Sequence, residues 1–161
     1  MQYEFGFGLS YTTFNLSGVS VTAAASDNSS SSSTIPAKCP SSSSSIPPPG
    51  GNPALWQTLY TVSAIVTNTG SVAGSAVPQL YLGLPQPPNA DVTPTKVLRG
   101  FEKVFLQPGE SKSVSFPLMR RDLSYWSTEA QGWIIGEGEV GVFAGFSSRD
   151  VRGEMKFKVM G

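Results

Sequence analysis

Apolar side chains recur at every second position in a series of short runs, and that spacing limits what the chain can fold into. Tyr60, Val62, Ala64 and Val66 alternate with Thr61, Ser63 and Thr67, and Val114, Phe116 and Leu118 with Ser113, Ser115 and Pro117. Val140, Val142 and Ala144 form a third row, and Met155, Phe157 and Val159 a fourth against Glu154, Lys156 and Lys158. A period of two sends successive side chains to opposite faces of a strand, so each run predicts a strand with one face buried. Leu80 and Leu82 share one face of a further strand, with Tyr81 on the other. Pro78 has no amide to donate, so that strand starts late or runs along a sheet edge. Val97 to Leu106 alternates imperfectly around Gly100, where a bulge would restore the facing of Phe101 or Val104. Trp133 and Ile135 precede the turn Gly136-Glu137-Gly138, and Trp133 is expected in the core. Asn68-Thr69-Gly70 and Gln107-Pro108-Gly109-Glu110 are further turn signals. Short strands between turns, with no 3.6 period, predict an all-β antiparallel sandwich.

A sharp change of composition divides the chain into residues 1–25, 26–53 and 54–161. The middle stretch holds Ser29 to Ser33, Ser41 to Ser45 and the Pro-rich Ile46 to Pro53. It has almost nothing to bury against the entropy of ordering it, so it is expected to be a long, disordered Ser/Pro-rich surface insertion. Thr13 to Val21 supplies the first strand, and the chain returns to the sandwich beyond the insertion. Cys39 lies within this stretch, as a free thiol or as the partner of a cysteine elsewhere.

Composition removes several functions. There are 11 Lys+Arg against 11 Asp+Glu, so no surplus of positive charge exists to neutralise a nucleic acid backbone. The absence of His and the single Cys leave neither the usual general base nor a Cys/His metal site. No catalytic residue and no cofactor are expected. Glu137 and Glu139 have a spacing reminiscent of paired carboxylates, but they flank Gly138 in a hairpin turn with no cleft around them. Asp122 is read as the cap of one helical turn through Trp126, paired with Arg120 or Arg121. Asp150 is read likewise beside Arg149, and Arg149 with Arg152 as a solvated edge. No apolar run is long enough to span a bilayer, so no membrane partner is expected. Met1 to Phe5 lacks the basic and apolar regions of a secretory signal, so an extracellular domain would be a fragment whose export signal lies elsewhere.

Several blocks resemble one family. Tyr3-Glu4-Phe5-Gly6-Phe7-Gly8-Leu9-Ser10-Tyr11-Thr12-Thr13-Phe14 looks like the junction into the C-terminal domain of glycoside hydrolase family 3 β-glucosidases. Val66 to Gly74, Gln79-Leu80-Tyr81-Leu82, Leu98 to Val104, Pro108 to Ser111, Arg121 to Ser124 and Gly145 to Asp150 resemble its later blocks, in the family's order. The insertion and Gly51 to Trp56 are similar to its secreted fungal branch. The resemblance implies an immunoglobulin/fibronectin type III-like sandwich, with residues 1–25 as interdomain segment and first strand. It also implies a secreted parent that releases terminal glucose from β-glucosides such as cellobiose, using an aspartate and a glutamate on two other domains. None of the motifs around those two residues occurs here.

Within that frame the expected role is structural: packing on the parent's catalytic domains through the strip Phe5, Phe7 and Leu9, whose intervening glycines permit close approach. The alternative is an accessory module that binds plant cell-wall polysaccharide or lignin on Trp56, Tyr81, Tyr125 and Trp126, since flat aromatics stack on sugar and phenyl rings. Asn15-Leu16-Ser17 and Asn28-Ser29-Ser30 fit the N-glycosylation pattern. Asn28 is expected to be the better acceptor, with Asn15 hidden in a strand.

Overall fold

A computed structural model describes residues 3–24, 35–40, 51–86 and 94–159. Eleven strands are present among them: β1 (Phe14–Ala23), β2 (Thr58–Asn68), β3 (Gly74–Ala76), β4 (Gln79–Gly83), β5 (Val97–Phe101), β6 (Val104–Leu106), β7 (Ser111–Met119), β8 (Ser124–Ser127), β9 (Gly132–Ile135), β10 (Glu139–Gly145) and β11 (Val151–Lys158). Two sheets carry the fold, one ordered β1-β2-β7 and the other β11-β10-β4-β5, every pairing antiparallel. Two short ribbons, β3-β6 and β8-β9, complete it. This is the sandwich that the alternation predicts.

The inward rows are the ones read from the sequence. Val62, Ala64, Val66, Val114, Phe116 and Leu118 line one sheet, and Leu80, Leu82, Val140, Val142 and Ala144 the other, all buried in one core. The bulge falls where expected: Leu80 pairs with Gly100 and Tyr81 with Leu98, leaving Arg99 as the extra residue. Val104 then faces inward while Phe101 is 70% exposed. Gly100 cannot carry a side chain, because a Cβ there would meet Phe116 Cδ1 at 2.8 Å across the sandwich.

Pro78 delays its strand, as expected: β4 begins at Gln79 and is central, between β10 and β5. Three expectations need correction. Trp133 is half-buried and outside the core, because it lies on the β8-β9 ribbon, edge-on to Trp126 at 5.9 Å. The helical turn spans Arg120–Leu123, upstream of its predicted place, and Ser124–Ser127 is strand. Asp122 caps that turn from inside, accepting from the Met119 amide at 2.9 Å, with Arg121 Nε at 3.8 Å. Asp150 pairs with Arg152, not Arg149.

Part of the Ser/Pro-rich stretch falls on described residues and packs there. The Cys39 amide donates to the Trp133 carbonyl, and the Ile135 amide to that of Ala37, adding residues 35–40 beside β9. The Arg120 guanidinium, 2% exposed, donates to the Pro36 and Ala37 carbonyls. Cys39 is a buried free thiol near Asn52, whose amide reaches Sγ at 3.4 Å. Ser29 to Ser33 and Ser41 to Ser45 lie outside the described residues.

One polar side chain organises the end of the sandwich. Asn68 is fully buried, and its amide nitrogen donates to the Val72 and Leu106 carbonyls at 2.8 and 3.1 Å. Its oxygen accepts from the Gly70 amide and the Thr12 hydroxyl at 3.1 and 2.8 Å. One carboxamide thus closes the turn after β2 and anchors both the β6 end and the chain entering β1. Asn68→Ala leaves those partners without it in a buried place, and urea denaturation should show a loss of about 2–4 kcal/mol.

Candidate functional site: an apolar docking face

The outer surfaces of the two sheets differ in kind. On the β11-β10-β4-β5 sheet, Gln79 and Tyr81 alternate with the inward leucines and so face outward. Phe101 stands directly opposite Gln79, and Phe143 and Leu98 opposite Tyr81, which puts five residues on this side. Residues Tyr3 to Leu9 lie over part of it.

What holds them is backbone hydrogen bonding to fixed partners. Gln79 is buried, and its amide nitrogen donates to the Gly6 carbonyl at 2.8 Å and the Phe146 carbonyl at 2.9 Å. Its oxygen accepts from the Tyr81 hydroxyl at 2.5 Å. The Ser148 amide donates to the Phe5 carbonyl at 2.9 Å, and the Ser147 hydroxyl to the Glu4 carboxylate at 3.0 Å. Gly6 sits at φ +80, and a Cβ there would meet Gln79 Oε1 at 2.1 Å, so only glycine fits. At the other end, Thr12 reaches Asn68, and a Cβ on Gly70 would strike its hydroxyl at 2.2 Å.

Between these anchors the side chains point away from the domain. Tyr3, Phe5, Leu9 and Tyr11 are 67% or more exposed, and Phe7 is 41% exposed. Tyr3 stacks on Phe7 with centroids 4.8 Å apart. Phe5 also borders an open groove of about 750 Å³ whose other walls include Tyr81, Leu98, Lys96 and Arg149. Lys96 closes one side, donating to the Ser148 carbonyl at 2.8 Å with its ammonium over the Phe143 ring. Large apolar residues held outward in a row mark an interaction surface. The exposure of Phe5, Phe7 and Leu9 was legible from large apolar residues set between glycines; the role of Gln79 was not, although a glutamine heading a run of leucines on a central strand is a signal of a buried polar contact.

The aromatic row proposed for polymer binding does not assemble. Tyr81 is 2% exposed, because the N-terminal segment and the 94–98 stretch cover it. Tyr125 and Trp126 are consecutive strand residues and face opposite sides of their ribbon. Trp56 is partly exposed in the 3-10 turn Pro53–Trp56, with the Arg121 guanidinium 4.2 Å from its ring centroid. Glu137 and Glu139 are both exposed. Among the described residues no cluster of three His, Cys, Asp or Glu could hold a metal, and no helix is long and apolar enough to cross a membrane.

Two measurements check this architecture. Gly6→Ala should detach the strip while sparing the core, accelerating hydrogen exchange at the Ser148 amide by about tenfold or more. Burial raises the Tyr81 phenol above its ordinary value of 10.0. A group whose folded value is raised contributes stability that is present below the unfolded value and lost as pH rises through the folded one. Stability of the wild-type chain should therefore decline above about pH 10, and Tyr81→Phe should flatten that decline in melting curves.

The fibronectin type III-like domain family matches residues 76–148. The probable β-glucosidase G of Neosartorya fischeri is 56% identical over 150 residues, covering 93% of this chain and 17% of that protein. A β-glucosidase structure from Chaetomella raphigera superposes with a TM-score of 0.79 at 42% identity, over 98% of this chain and 20% of that one. The glycoside hydrolase family 3 β-glucosidase of Neurospora crassa gives 0.77 at 30% identity, over 96% and 26%. The chain thus spans less than a fifth of the length of the curated relatives it matches. Residues 76–148 thus carry the match to the fibronectin type III-like domain family, the two-sheet architecture agrees with it, and the chain as a whole matches the C-terminal region of fungal glycoside hydrolase family 3 β-glucosidases.

Proposed function

We propose that this chain is the non-catalytic, stabilising C-terminal domain of a secreted β-glucosidase, and that it packs on the catalytic domains of that parent through the Tyr3 to Tyr11 strip. The parent's reaction is hydrolysis of terminal β-D-glucosidic bonds, as in cellobiose, carried out by groups outside this chain. The observation that carries the reading is the combination of exposure and fixation along the strip. Five large apolar side chains stand outward within nine positions, yet hydrogen bonds to the sheet and to the Ser148 amide hold the backbone at Phe5 and Gly6 in place. An unpartnered strip gains nothing from that order. Against an apolar neighbour, each Phe or Leu contributes about 1.5–3 kcal/mol on full burial.

The relatives support the same reading, being β-glucosidases of which this chain matches a small terminal part.

In the full-length parent, Phe5→Ser, Phe7→Ser and Leu9→Ser together should lower the melting temperature by several degrees and leave kcat on p-nitrophenyl glucoside within about twofold, because stability is lost and the transition-state contacts are not. The isolated chain should release no p-nitrophenol above background. An unchanged melting temperature, or sustained turnover by the isolated chain, contradicts the proposal.

A further inference from the structure

We propose that Asn15 is an N-glycosylation site, placed on the face that the domain leaves to solvent. The sequence pattern Asn15-Leu16-Ser17 sits in β1, an edge strand of the three-stranded sheet. Leu16 faces the core at 3% exposure, so Asn15 and Ser17 both point outward, and both are exposed. The expectation that the strand would hide Asn15 is thereby corrected, while Asn28 lies outside the described residues. Among the described residues the Asn15 carboxamide has no hydrogen-bond partner, so attaching a sugar to it disturbs no contact of the fold.

The surroundings fit a sugar as well. Asn15 stands opposite Thr67, and the outward positions of this sheet continue through Thr61, Ser63, Ser113 and Ser115. These are short hydroxyl side chains that a hydrated oligosaccharide can cover; Ile65, 43% exposed, stands among them between Ser63 and Thr67. The aromatic strip, in contrast, crosses the outer surface of the other sheet. A glycan on Asn15 and packing through Phe5, Phe7 and Leu9 are therefore compatible.

Chemically, the Asn15 carboxamide nitrogen attacks the anomeric carbon of a lipid-pyrophosphate-linked oligosaccharide. The nitrogen–carbon bond forms as the carbon–oxygen bond to pyrophosphate breaks; the electron pair leaves with the pyrophosphate, and an amide proton passes to base. The inference rests on the secreted reading of the parent, and the test separates the two.

The full-length parent would be expressed through a yeast secretory pathway, treated with peptide N-glycosidase in heavy-oxygen water and mapped by mass spectrometry. The peptide holding Asn15 should contain heavy-oxygen aspartate in most chains. Ser17→Ala should abolish that label and Ser17→Thr retain it. Folded, secreted protein with an unlabelled Asn15, or a label that survives Ser17→Ala, overturns the assignment. Culture filtrate of the source organism is the separate arm: absence of the parent there contradicts secretion and leaves the acceptor result standing.

Discussion

A buried glutamine fastens the first residues of the chain to a sheet some 70 positions away. Gln79 can accept a place under the N-terminal segment because its carboxamide is satisfied on all sides, by the Gly6 and Phe146 carbonyls and the Tyr81 hydroxyl. An unpaired amide in that position would cost about 1–3 kcal/mol, so the contact is specific as well as favourable. It sets the position of Phe5 and Phe7 on either side of Gly6. It also explains why that residue is glycine and why Tyr81 is covered.

The sandwich itself follows from an older constraint on any half-buried sheet. Each strand has one apolar row, and two sheets satisfy both rows by closing on each other. The closure leaves two outer surfaces that the alternation does not specify, and these are where the chain differs from a generic domain. One is mostly small and hydroxylated, with Ile65 among its exposed residues. The other carries phenyl rings and a groove with two cations on its rim. A domain with such unequal faces is oriented: one side suits an apolar neighbour and the other suits water.

The fold was largely legible because its evidence is local. Rows such as Val62-Ala64-Val66 and Val114-Phe116-Leu118 state their facing within a few residues, and Gly100 announced its bulge. The features that escaped depend on contacts between distant segments. Tyr81 occupies an outward position by alternation, and nothing near it in the chain shows that residues 3–9 return to cover it. Residues 35–40 look structureless from their Ser/Pro surroundings, yet they find open carbonyls and amides beside β9 and a buried Arg120. Trp133 has the composition of a core residue, but its ribbon lies at the margin of the sandwich. The strip Phe5-Gly6-Phe7-Gly8-Leu9 was visible as large apolar residues set between glycines; its anchoring was not.

The central claim concerns where the N-terminal aromatics go in the complete protein, and solvent footprinting reads that without altering a residue. Hydroxyl-radical oxidation of the isolated chain and of the full-length parent can be compared side chain by side chain. Tyr3, Phe5, Phe7, Leu9 and Tyr11 should be oxidised readily in the isolated chain and strongly protected in the parent, with Ile65 on the opposite sheet reacting equally in both. Equal oxidation of the five residues in the two proteins would show that the strip faces water in the parent too, and would contradict the account.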